Sequence, residues 1–156
     1  MDIKTILVPT DFSDYAEYAY NWALGLATDC KAKVILFHAA PTVSHLAFPE
    51  SAYYPDFSRM EREMIADAEK QISQFAAKKG TGTVPVETRV SVGDAVWETC
   101  RVAEREHADL IVMGSHGRTG LSHVVLGSVA ERVVRHASCP VLVARMPAQE
   151  KKEKKQ

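Results

Sequence analysis

Continuous apolar runs alternating with helical periodicities predict an α/β fold, a parallel sheet with helices on both faces. Residues 3–9, 34–37, 110–113 and 140–144 are apolar almost without interruption. They lack the polar alternation of a strand with one wet face, which marks strands covered on both sides. Between them, apolar residues recur three and four apart, as amphipathic helices require. Strand and helix signals also alternate one for one, the pattern of right-handed crossovers within one sheet.

The elements follow in order. Residues 3–9 form the first strand. A helix over 13–27 places Ala16, Ala19, Ala23 and Ala27 on one face beside Tyr20 and Leu24. Ser13 is its natural N-cap, and Asp14 and Glu17 suit the positive end of the helix dipole. Residues 34–37 are the second strand. Pro41, Pro49, Pro55, Phe48, Tyr53, Tyr54 and Phe57 make 41–57 a long irregular connection. It reads equally as a binding lid or as a flap packed on the body. Ser58 and Glu61 have capping-box spacing before a helix striped with Met60, Met64, Ala68, Ile72 and Phe75. That stripe is a core face, and Gly80 ends the helix. Residues 85–92 are the third strand. Gly93 and Asp94 open a helix carrying Val96, Cys100 and Ala103. Residues 110–113, 129–137 and 140–144 complete the order as strand, helix and strand. The expectation is a single Rossmann-like, doubly wound domain over 1–146 with strand order 3-2-1-4-5. A basic disordered tail, 147–156, follows it.

Composition sets bounds. The chain has 156 residues, 46% hydrophobic and 25% charged, with a formal net charge of −1. One domain with a sizeable core fits that length. Residues 150–156 hold four Lys and two Glu, and without them 15 basic and 18 acidic residues leave a net of −3. No general attraction to nucleic acid or to anionic membrane follows. Cys30, Cys100 and Cys139 are odd in number and widely spaced. They predict buried structural thiols in a reducing compartment, not a zinc site or disulfide framework. No stretch is apolar enough to span a bilayer and no signal peptide is apparent, so the expected location is cytoplasmic.

The strongest functional signal is G-x2-G-x9-G-S, made by Gly114, Gly117, Gly127 and Ser128. It lies between the fourth strand and a helix. Glycines permit close backbone approach and positive φ. Free N–H groups at a helix start point at an anion. The loop therefore predicts a phosphorylated small-molecule ligand. Pro9, Thr10 and Asp11 follow the first strand at the same sheet end, where open α/β sheets bind ligands. Asp11 either accepts hydrogen bonds from a ribose diol or caps a turn. Ser128 either caps its helix, in the capping box completed by Glu131, or donates to a phosphate oxygen. The backbone N–H groups of Gly127, Ser128 and Val129 are the safer phosphate ligands. Arg118 offers neutralising charge. His116 and His123 read as solvent-facing loop residues, and His38 as a packed, hydrogen-bonded core residue. His45, His107 and His136 lack metal-ligand spacing. The chain has no G-x-x-x-x-G-K-[ST], no G-x-G-x-x-G after the first strand and no G-x-S-x-G. Mg²⁺ can accompany the phosphates through their oxygens and water.

These residues carry a family resemblance. Ile6-Leu7-Val8-Pro9-Thr10-Asp11-Phe12-Ser13 and the segment 114–145, GSHGRTGLSHVVLGSVAERVVRHASCPVLVAR, closely resemble the universal stress protein family. The resemblance covers nearly the whole chain and is similar in layout alone over 41–57. It implies an ATP-binding fold of five parallel strands and a homodimer. It places ribose at Asp11 and the nucleotide beside Pro9 and Thr10. It puts adenine at the backbone of Ala39, base or sugar over Met113, and phosphates on Gly114, Gly117, Gly127, Ser128 and Val129. It implies dimerisation through Val141, Leu142 and Val143; an apolar edge strand needs cover in any case.

The leading expectation is a dimeric, nucleotide-responsive binding module of the stress response, with slow ATP hydrolysis at most. One alternative is a weak ATPase or nucleotide-using transferase acting through His116, His123 or Ser128. Another is a chaperone-like or scaffold dimer with incidental nucleotide, using 48–57 as its contact surface.

Overall fold

The computed structural model describes residues 2–42, 57–78, 80–117 and 126–147. Five strands and four helices alternate: β1 (Thr5–Pro9), α1 (Asp14–Cys30), β2 (Lys33–Ala40), α2 (Phe57–Ala77), β3 (Val86–Val92), α3 (Ala95–Arg105), β4 (Leu110–Gly114), α4 (Ser128–His136) and β5 (Val141–Ala144). The sheet order is β3-β2-β1-β4-β5, and every pairing is parallel. This is the expected doubly wound topology, with the chain reversing its direction of growth at β1.

The continuous apolar strands divide between two cores by their two-residue period. Ile6, Val8, Val34, Leu36 and Val112 face one side, against Ala19, Tyr20 and Ala23 of α1 and Ile72 of α2. Leu7, Ile35, Phe37, Ile111 and Met113 face the other, against Val96 and Val102 of α3 and Ala130 and Val133 of α4. Both faces are dry, so polar alternation has no place in the central strands.

Local chemistry sets the ends. Ser13 caps α1 by accepting from the Ala16 N–H. The helix runs past Ala27 to Cys30, and Lys31 closes it in the left-handed region at φ 57°. A non-glycine terminator is why the sequence reading stopped short. Cys30 is exposed at this end, contrary to its expected burial; Cys100 is buried and Cys139 half-buried. Helix α2 begins at Phe57, which places Ser58 inside its first turn and overturns the expected capping box. Its stripe is real, with Ala68 and Ile72 buried. At the N-terminal ends of β1 and β4, the Asp109 carboxylate accepts from the Lys4 and Thr5 N–H groups at 2.8 and 2.9 Å. Those backbone bonds hold its pKa below the ordinary aspartate value.

The two sheet edges differ in chemistry. On β3, Glu87 pairs with Lys33 and Arg89, and Arg89 also pairs with Glu106 of the α3 cap. On β5, Val141, Leu142 and Val143 are half-buried and apolar.

No described helix is long and apolar enough to cross a membrane. Most of the connection at 43–56, and the tail at 148–156, lie outside the described residues.

Candidate functional site

The C-terminal ends of β1, β2 and β4 open into one cavity of about 510 Å³, a size typical of ligand sites. Pro9, Thr10 and Asp11 line it from β1 and its loop, and Ala39 from β2. Met113, Gly114 and Gly117 line it from β4 and its loop, and Gly127, Ser128 and Val129 from the start of α4. The topology brings these segments together at the switch point, because β1 sits between β2 and β4. Arg118, His123 and His45 lie outside the described residues.

The β1 loop is held by its own side chains. The Thr10 hydroxyl accepts from the Phe12 N–H at 3.0 Å. Asp11 Oδ1 accepts from the Ser13 N–H at 3.1 Å and from the Ser13 hydroxyl at 2.6 Å. The turn forces Phe12 to φ 65°, where a side chain is rarely found. Asp11 therefore orients the α1 cap, Ser13, from two positions upstream while lining the cavity. His38 departs from its expected place in the core. It is half-buried, lines the cavity, and its Nδ1 lies 2.8 Å from the Thr10 carbonyl, so this nitrogen donates. Its ring packs on Phe12 at 4.4 Å.

The motif glycines serve space, not backbone conformation. The left-handed glycines are Gly80 and Gly82, with Gly93 at φ 152°, all outside the motif. A Cβ on Gly114 would stand 2.8 Å from the Tyr15 carbonyl oxygen, against α1. One on Gly117 would stand 2.8 Å from Asp11 Oδ2, and one on Gly127 3.2 Å from the Ser115 carbonyl oxygen. Gly127 also donates its N–H to that oxygen at 2.8 Å. Gly114 and Gly117 thus let the end of β4 and the residues just after it approach α1 and the β1 loop closely, and Gly127 lets the start of α4 approach Ser115. Ser115 is buried, and its hydroxyl lies 3.0 Å from His116 Nδ1. His116 packs on Tyr15 and lines the cavity instead of pointing away into solvent.

The start of α4 corrects a second expectation. Gly127, not Ser128, is the N-cap, and it has no side chain with which to cap. Ser128 occupies the first helical position, so the capping box with Glu131 is not formed. Ser128, Val129 and Ala130, which carry the first-turn N–H groups, line the cavity, and among the described residues no side chain caps this turn. By contrast, Asp94 caps α3 by accepting from Val96 and Trp97 at 3.0 and 3.1 Å. Ala16 of α1 and Ala95 of α3 also line the cavity, so three helix N-termini converge on it.

Sequence reasoning missed Phe37, Ala95, Thr99 and Ala130 as lining residues. Ala95 was within reach, since it follows the C-terminal end of a strand, as Asp11 does. Thr99 and Ala130 are helix residues whose inward direction becomes visible only once the helices are packed. Among the described residues, no cluster of His, Cys, Asp or Glu can hold a metal ion.

An all-parallel, doubly wound sheet with a cavity at its switch point defines a class of α/β proteins whose ligand sites lie at the C-terminal ends of the strands. Residues 2–145 match the model of the universal stress protein family, and the chain belongs to that family. It is 35% identical over 147 residues to universal stress protein MJ0531 of Methanocaldococcus jannaschii, covering 94% of this chain and 85% of the relative. Among solved structures it resembles MJ0577 of the same organism, with a TM-score of 0.77, 29% identity, and coverage of 94% of this chain and 99% of that one. A universal stress protein in complex with cAMP aligns with a TM-score of 0.60 at 25% identity, over 94% of this chain and 100% of that one.

Proposed function

We propose that this chain is an ATP-binding, nucleotide-responsive module of the stress response. The observation that carries the reading is the start of α4, uncapped among the described residues, where the first turn borders a cavity also lined by Gly114, Gly117 and Gly127. The cAMP complex of a family member supports a nucleotide as the ligand class. On this reading Asp11 takes the ribose hydroxyls, and Pro9, Thr10, Ala39 and Met113 surround base and sugar. Gly114, Gly117, Gly127, Ser128 and Val129 cradle the phosphates. Arg118 adds charge from outside the described residues, and Mg²⁺ binds through phosphate oxygens and water. The donor set fits such a group: backbone N–H groups, a helix N-terminus and one carboxylate suited to a diol.

Hydrolysis is proposed to be slow. The described candidates for activating water are Asp11 and His116. Asp11 Oδ1 is engaged by Ser13, and His116 Nδ1 by Ser115. The nucleotide then acts as a signal by favouring one arrangement of the loop over 114–127. The domain spans 1–146, the location is the cytoplasm, and two copies pair through the bare β5 edge, where an unpaired apolar strand invites a partner.

The test is to denature freshly purified protein, chromatograph what is released, and titrate the stripped protein with Mg·ATP. Near-stoichiometric ATP, or saturable rebinding, is expected. An empty chromatogram together with a flat titration overturns the reading. Steady phosphate release lost in a His116→Ala/His123→Ala variant would favour the ATPase alternative.

A further inference from the structure

The cavity has two chemically different sides. On the β4 and α4 side lie the glycine loop and the uncapped helix start. On the other lie the end of β2 and the start of α3, contributing Phe37, Ala39, Ala95 and Thr99. His38, at the end of β2, lines this side too, and the rest of it is apolar except for Thr99. Thr99 is 1% exposed, and its hydroxyl donates to the Ala95 carbonyl at 2.6 Å. Both residues of that bond line the cavity, so the hydroxyl runs along its wall. Side chains on a helix lean toward its N-terminus, and here the N-terminus is the end that meets the cavity.

A hydroxyl has one proton and two lone pairs. The Thr99 proton is committed to Ala95, so the oxygen can only accept. His38, which also lines the cavity, has its Nδ1 committed to the Thr10 carbonyl, on the β1 side. We infer that Thr99 is a specificity-determining residue that selects a base with an exocyclic amino group over one with a ring carbonyl at the same position. The inference rests on the nucleotide reading and deepens it. An amino group donates to the waiting oxygen, whereas a carbonyl sets lone pair against lone pair in a dry pocket.

ATP and ITP probe the contact: they share ribose and triphosphate and differ at the group on C6 and in the N1 proton that accompanies the carbonyl, and a Thr99 variant separates the first from the second. Calorimetric titration of the whole protein with each, as the Mg²⁺ complex, should give at least about a fivefold preference for ATP. Thr99→Val keeps the shape and removes the acceptor; the preference should shrink to within about twofold. Thr99→Ser keeps the hydroxyl and should retain it. Ser128→Ala should weaken both ligands together and leave their ratio unchanged. Equal binding of ATP and ITP by the native protein overturns the assignment of Thr99 while leaving the nucleotide site standing. The same holds if Thr99→Val, folded by circular dichroism, discriminates as well as the native protein. Failure of both triphosphates to bind the native protein overturns the nucleotide reading, and the base contact with it.

Discussion

Helices α3 and α4 start at the same edge of the same sheet and line the same cavity, yet their first turns are finished differently. Asp94 closes α3 with two hydrogen bonds and an ion pair to Arg132. Gly127 leaves α4 open. A capped start is stable by itself, while an uncapped one keeps its N–H groups and its share of the dipole for something else. The difference lies in one residue at equivalent positions, and on the proposed function it separates a structural terminus from a binding one.

The contrast is broken most directly by giving α4 the cap that α3 has. Gly127→Asp brings a carboxylate to the open turn and crowds the Ser115 carbonyl. ATP affinity should fall at least about 100-fold, as charged hydrogen bonds are lost and a like charge is added, while helical circular dichroism persists. Retained affinity would mean that the phosphates do not sit on this turn. Ser128→Pro sharpens the point. Proline suits the first helical position, and the extended ψ of 152° at Gly127 suits a following proline. The variant removes one N–H together with the hydroxyl and should cost about tenfold in affinity without lowering Tm. Ser128→Ala should cost less than Ser128→Pro, and an equal cost would assign the effect to the hydroxyl alone.

The reverse experiment uncaps α3. Asp94→Ala should cost about 1 kcal/mol of stability by denaturant titration and leave affinity within about twofold, since its N–H groups are not the phosphate ligands. A large affinity loss would mean that both helix starts bind. The smallest effect on binding belongs to Asp109, across the sheet. Its pKa is held down by the Lys4 and Thr5 N–H groups. The stability it contributes is therefore present at neutral pH and fades as pH falls through that lowered value. Asp109→Asn should lower Tm at neutral pH, with the gap to the native protein narrowing in acid. A gap constant with pH would exclude the clamp as its cause.

Much of this was legible in the chain. Buried parallel strands announce themselves as unbroken apolar runs, and one-for-one alternation leaves few topologies. The cavity residues at strand ends were found because strand ends are found. The errors share a physical origin. Ser128-Val129-Ala130-Glu131 has the letters of a capping box, but whether a serine stands at the cap or one residue inside depends on where the backbone turns helical. Here the Gly127 N–H bond to Ser115 fixes that point. The glycines suggested both close backbone approach and positive φ, and only the first is found, with crowding by Tyr15, Asp11 and Ser115 across the fold. Thr99 was silent because a threonine in mid-helix carries no local mark of the cavity it borders.

The charged girdle on β3 has a consequence for assembly. A sheet can add strands at either flank, and a chain with two receptive flanks can go on adding copies without limit. Here Lys33, Glu87, Arg89 and Glu106 make one flank costly to dehydrate, leaving β5 as the receptive one. On the proposed pairing through β5 the molecule has a valence of one through its sheet: joining a second copy by a two-fold axis would consume both receptive flanks, and growth into filaments would stop at its first step.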